Sequence, residues 1–146
     1  MASSIDVAAA FARLSNEQLS NLELQKYVYL AHMMYAGTYD GENLVADEPF
    51  QAWDYGPVSP SLYRQLRGFG AANVPMIMLR SATPLDPEAM GVVERVWNTL
   101  HNATPGQLVA ITHDQRGAWH SVYQPGVKGI QIPQSEILNE YRRRAA

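Results

Sequence analysis

Cysteine is absent from this 146-residue chain, which excludes disulfides and thiolate metal sites and suits a reducing compartment. Long apolar runs are missing as well: none approaches the roughly 18 residues that a spanning helix requires. The first residues lack the basic-then-apolar layout of a secretory signal. These absences set the expectation of a cytoplasmic protein with no membrane partner. A basic stripe able to displace the counterions of a duplex is also lacking, so direct nucleic-acid binding is not expected.

What charge there is lies unevenly. Residues 1–60 carry two basic and eight acidic side chains, and residues 61–146 carry nine basic and six acidic ones. Between Lys26 and Arg64 stand Asp40, Glu42, Asp47, Glu48 and Asp54 with no basic residue among them. Such a segment is either a solvated loop or a surface that steers a basic protein partner. Length and ordinary composition point to one domain over residues 1–146, with enough apolar side chains for a proper core.

Periodicity and capping signals predict a mainly α fold of about six helices. Residues 5–14 place Val7, Ala10, Phe11 and Leu14 on one stripe. Ser20-Asn21-Leu22-Glu23 fits a capping box, and Leu24, Tyr27, Val28, Ala31, Met34 and Tyr35 follow at helical spacing until Gly37 ends the helix. Helices are also predicted from Pro60 to about Phe69, from Asp86-Pro87 through Leu100, from Thr104-Pro105 through Ile111, and from about Pro133 to Arg143. Residues 50–53 and 129–132 read as two short strands that pair in a small β ribbon.

The most informative stretch is Ala52-Trp53-Asp54-Tyr55-Gly56-Pro57-Val58-Ser59-Pro60, with Tyr63 one turn later. Tyr55-Gly56-Pro57 predicts a turn, since Gly accepts positive φ and Pro fixes φ. Ser59 then stands where it would cap a helix that opens on Pro60.

Several constellations admit both a chemical and a structural reading. His113-Asp114 with Ser121 imitates parts of a hydrolase triad, but no Gly-x-Ser-x-Gly elbow accompanies it. The spacing of His113 and His120 advertises neither a third metal ligand nor a second shell. Thr112 and His113 are better read as bracing the short helix by hydrogen bonds. Trp53 and Trp97 fit core packing, whereas Trp119, in a turn-rich stretch, fits core and interface equally. Tyr29 falls off the apolar stripe, and Tyr39 and Tyr123 fall in predicted loops, where amphipathic rings suit a binding surface. Lys26 invites an ion pair with Glu23 or Asp54.

Three segments in order, Leu24-Gln25-Lys26-Tyr27-Val28-Tyr29-Leu30-Ala31, the Trp53-to-Tyr63 stretch, and Leu108 to Asp114 with Ala118-Trp119, resemble the Panacea domain of the SocA-like and GepA-like antitoxins. The likeness runs from about Asp6 to Tyr141; Val109 stands where the family often has Ser, and Ala118 where Pro often precedes Trp. It implies a non-enzymatic antitoxin without cofactor or metal, which neutralises a toxin encoded beside it by covering its active part. It also implies, in some relatives, delivery of the toxin to a ClpXP-type protease. On this reading Leu24, Lys26, Trp53, Gly56, Pro57, Val58, Tyr63, Thr112 and His113 are scaffold. Tyr29, Tyr39, Asp47, Glu48, Trp119 and Tyr123 are the candidate partner contacts. Arg142-Arg143-Arg144 complements a helix dipole, and Ala145-Ala146 resembles the two-alanine ends that such proteases recognise. The alternatives are a phage or host interaction protein unrelated to a toxin, and a small hydrolase built on His113.

Overall fold

Three reciprocal capping boxes set where helices begin. In each, a Ser or Thr hydroxyl accepts from the backbone three residues on, while the side chain there accepts from the cap backbone: Ser3 with Asp6, Ser20 with Glu23, and Thr104 with Gln107. The computed structural model describes residues 2–146, and among these it contains seven α-helices and one small sheet. In chain order they are α1 (Ser4–Leu14), α2 (Asn21–Thr38), β1 (Gln51–Trp53), β2 (Gly56–Val58), α3 (Pro60–Leu66), α4 (Pro87–Leu100), α5 (Pro105–Thr112), α6 (Ala118–Val122), β3 (Ile130–Gln131) and α7 (Gln134–Ala145). Single 3₁₀ turns at Arg67–Phe69 and Met76–Leu79 fill part of the connection between α3 and α4. No helix among the described residues is long and apolar enough to cross a membrane.

Everything is arranged around α2, which packs against α1, α4, α5, α7 and the β1–β2 hairpin. Its residues from Leu24 to Met33 are all buried, polar ones included. A helix enclosed on every side has no solvent face, so its polar side chains must find partners inside. His32 does so by accepting from the Val45 backbone N–H on Nδ1 (3.2 Å), which leaves Nε2–H to donate to Gln134 Oε1 (2.8 Å). Gln25 accepts from the Ser59 N–H at 2.8 Å and donates to Asn21 at 3.1 Å.

Tyr29, expected on a binding surface, is instead fully buried and donates to Glu140 Oε1 of α7 at 2.6 Å. The off-stripe position that pointed outward lies against α7, because the helix is covered on that side too. Glu140 Oε1 also accepts from the Ala118 N–H (2.9 Å), and Oε2 accepts from Arg144 (2.8 Å). Arg144 in turn donates to the Ile111 carbonyl at 2.6 Å. One carboxylate thus joins α2, α7, the start of α6 and, through Arg144, the end of α5; its charge is tolerated because donors surround it.

The sheet has the order β2-β1-β3, antiparallel throughout. The predicted pairing of residues 50–53 with 129–132 is present, with Gln51 opposite Gln131 and Ala52 opposite Ile130. Gly56-Pro57-Val58 was not expected as a strand: the reversal falls at Asp54-Tyr55, and Gly56 to Val58 returns along β1. Ser59 makes no capping hydrogen bond to α3; its hydroxyl lies 2.6 Å from that of Ser4 instead. The seventh helix, α6, is too short for its periodicity to show.

Gly37 does not end α2 but lies within it, where a Cβ would collide with the Tyr141 ring of α7. Alanine there gains about 1 kcal/mol of helix propensity but overpacks the contact, a cost of roughly 1–3 kcal/mol. Gly37→Ala is therefore expected to lower the urea midpoint, and Tyr141→Ala in the same chain to remove that penalty. A Gly37→Ala chain as stable as the parent would contradict the contact.

Candidate partner-binding groove and the cluster beneath it

The motif residues meet at the β1–β2 hairpin. Lys26, in the second turn of α2, has no exposed surface, and its Nζ donates to the Pro57 carbonyl at 3.0 Å. The ion pair expected with Glu23 or Asp54 is not formed: Glu23 is taken by its capping box and Asp54 by Tyr123. Burial without a carboxylate partner lowers the lysine pKa to about 7. Gly56 makes this approach possible. Its φ of 115° disfavours any L side chain, and a Cβ would sit 3.0 Å from both Lys26 Nζ and Thr112 Oγ1. Thr112, at the end of α5, points its hydroxyl back to the Leu108 and Val109 carbonyls at 3.1 Å, whereas His113 Nε2, expected to share in such hydrogen bonding, makes none.

A stack of three rings holds the hairpin from the α6 side. His113 lies on Trp119 with centroids 3.8 Å apart, and Trp119 lies on Tyr123 at 4.4 Å. The Trp119 indole N–H donates to the Trp53 carbonyl at 2.7 Å, and the Tyr123 hydroxyl donates to Asp54. Trp119 is 8% exposed, so of its two readings the core one applies, and Tyr123 is half-buried in the same stack. Tyr39, half-buried, packs against Tyr35 with the rings tilted at 44°.

This geometry does not assemble the hydrolase constellation. His113 Nε2 is buried without a hydrogen-bond partner, Asp114 is held by Arg116 at 2.9 Å, and the Ser121 hydroxyl donates to the Gly117 carbonyl. Burial lowers the His113 pKa; the Tyr55 backbone opposes this and the Lys26 charge adds to it. The Arg116 guanidinium holds Asp114 well below the usual carboxylate range. Among the described residues no three His, Asp or Glu side chains are grouped as metal ligands.

On the outer face of the hairpin lies a groove of about 690 Å³ between β1, the start of α2, the end of α3 and residues 127–129. Trp53, expected in the core, is half-exposed here and meets Tyr63 edge-on at 4.8 Å. Its indole N–H is satisfied locally by Gln51. Tyr55 at the hairpin tip is 71% exposed, and Arg67 and Lys128 stand on the walls. Leu24 is buried, and Val58, 5% exposed, contributes to the lining. Sequence reasoning passed over Tyr55, Arg67 and Lys128; the exposed turn position of Tyr55 was the one signal available.

Fold and site together define a mainly α domain with a preformed aromatic groove, its motif residues engaged with one another beneath it. The chain belongs to the family described as antitoxin SocA-like, Panacea domain, whose model matches residues 24–120. It is similar to Antitoxin SocA of Caulobacter vibrioides (strain NA1000 / CB15N), at 30% identity over 142 aligned residues covering 85% of this chain and 72% of that protein. No solved structure matches the chain.

The buried amine makes stability depend on pH with a definite sign. Above about pH 7 the folded Lys26 sheds a proton that the unfolded lysine keeps until the ordinary range near 10.5, so stability rises with pH across that window. The phenols of Tyr27 and Tyr29, both raised, reverse the trend only above about pH 10, where unfolded tyrosines ionise first. Urea unfolding between about pH 7.5 and 9.5 is expected to show a gain approaching 1.4 kcal/mol per unit at most, and Lys26→Met is expected to flatten it. Identical slopes in the two chains would contradict a buried neutral amine.

Proposed function

We propose that this chain is an antitoxin that neutralises a toxin encoded beside it by binding the toxin directly, with the groove face of the hairpin as the contact surface. Membership of the SocA-like antitoxin family carries the reading. The preformed groove supports binding as its physical basis, because a surface already ordered loses little conformational entropy on association. The internal hydrogen bonds of Lys26, Gly56-Pro57, Thr112 and Trp119 support a scaffolding role for the motif, with variation in toxin accommodated by residues around it. Of the earlier candidate contacts, Tyr29 is withdrawn by its burial and Trp119 by its place in the stack. Asp47 and Glu48 are tied to Ser4, Ser61 and Arg64. Delivery of the bound toxin to a ClpXP-type protease is a second route compatible with the same contact.

Each neighbouring gene is to be co-expressed with and without this chain, followed by affinity capture. The expected outcome is rescue of growth from one neighbour and a stable complex with its product. Rescue that persists in cells lacking the protease assigns occlusion, and rescue that needs the protease assigns delivery. Absence of a toxic neighbour, or rescue without a complex, would contradict direct neutralisation.

A further inference from the structure

The acidic segment that pointed to a basic partner is largely consumed inside the molecule. Asp47 accepts from the Ser4 backbone N–H and hydroxyl and from the Ser61 hydroxyl, Glu48 pairs with Arg64 at 3.2 Å, and Asp54 accepts from Tyr123. The groove beside the hairpin has the opposite character. Asp54 is the one carboxylate of its lining, and it is already bonded. Arg67, just after α3, and Lys128, just before β3, come from the basic half of the chain; both are exposed and neither meets a carboxylate among the described residues. The same groove is lined by the Trp53 and Tyr63 rings, packed edge-on, and by the exposed Tyr55 at the hairpin tip.

From the unpaired cations and the aromatic rings that share this lining, we propose that the groove binds a short acidic segment of the protein partner, with an aromatic or branched apolar side chain against Trp53 and Tyr63 and carboxylates reaching Arg67 and Lys128. Identifying the owner of that segment as the toxin rests on the antitoxin reading. The volume, about 690 Å³, falls inside the span of roughly 300–1,000 Å³ seen for preformed ligand clefts. Aromatic and Arg side chains are also the residue types that anchor interfaces, and oppositely charged rims steer encounter. A nucleic-acid strand fits less well: the chain's net charge is −3, and two exposed cations displace few counterions.

Two experiments decide the matter. In the first, the purified full chain is screened against a displayed library of random dodecapeptides, and enriched peptides are titrated by fluorescence anisotropy. Enrichment of Asp or Glu beside an aromatic or branched residue is expected, with affinity falling at least tenfold in Arg67→Glu/Lys128→Glu and weakening as salt rises. No enrichment, enrichment of neutral or basic peptides, or unchanged affinity in the double variant would overturn the proposal. So would a self-dimer or an oligonucleotide complex that the double variant dissolves.

In the second, the toxin identified by growth rescue is titrated with the parent chain and the double variant, whose melting temperature confirms its fold. A loss of at least tenfold supports the groove. Unchanged affinity and rescue would overturn the groove while leaving the antitoxin reading standing. Failure of the parent chain to rescue from either neighbour would instead remove that reading, and the peptide screen would still decide what the groove binds.

Discussion

The contact between the Lys26 amine and the Pro57 carbonyl sets the position of the hairpin on the central helix, and with it the groove. An amine on the buried second turn of an enclosed helix is costly, since burial removes its hydration and no carboxylate replaces it. The chain accommodates it by letting the proton go near neutral pH and by bringing a backbone acceptor to hydrogen-bond distance. That approach demands a residue without a side chain at position 56, in a backbone conformation that glycine tolerates. The Lys, Gly and Pro of the motif are therefore three parts of one packing solution. A mutation at any of them acts on the groove through the hairpin.

A second polar cluster serves the C-terminal half in the same way. Glu140 collects donors from Tyr29, Ala118 and Arg144, so α7, α6 and α5 are all referred to α2. Hydrophobic burial supplies most of the driving force for such a fold, but it does not fix the angle at which helices meet. Directional bonds in a low-dielectric interior do, because misplacing them strands a buried polar group. Two buried clusters, one at the hairpin and one on α7, make the central helix a common reference for elements far apart in sequence. The hairpin side of the groove is thereby tied to the central helix.

Much of the architecture was legible where local chemistry decides it. The Ser20–Glu23 box, the Asp86-Pro87 and Thr104-Pro105 starts and the distant pairing of β1 with β3 all follow from caps, prolines and alternation. Readings that relied on one helix face failed, because α2 has no exposed face: Tyr29 turned inward and Lys26 found a carbonyl where an ion pair was expected. The roles of the tryptophans were also exchanged. Trp119 is enclosed because α6, invisible to periodicity at five residues, presents it to His113; Trp53 alternates outward on β1 into the groove. Arg67 and Lys128 were not legible as a pair, since only the β1–β3 ladder brings residues 127–129 opposite the end of α3. Gly37 was read as a helix stop, its usual local meaning, while a tertiary contact with Tyr141 is what requires it.

The account turns on the environment of a single amine, and that can be observed directly. Carbon-13 labelling of the lysines, with Lys26 assigned by its absence in Lys26→Met, allows its Cε shift to be followed through a pH titration of the folded chain. The predicted midpoint is about 7, well separated from the ordinary lysine value of 10.5. A Lys26 midpoint near 10.5 would mean that the amine is hydrated, that the hairpin does not sit on it, and that the groove described above is not the one the protein has.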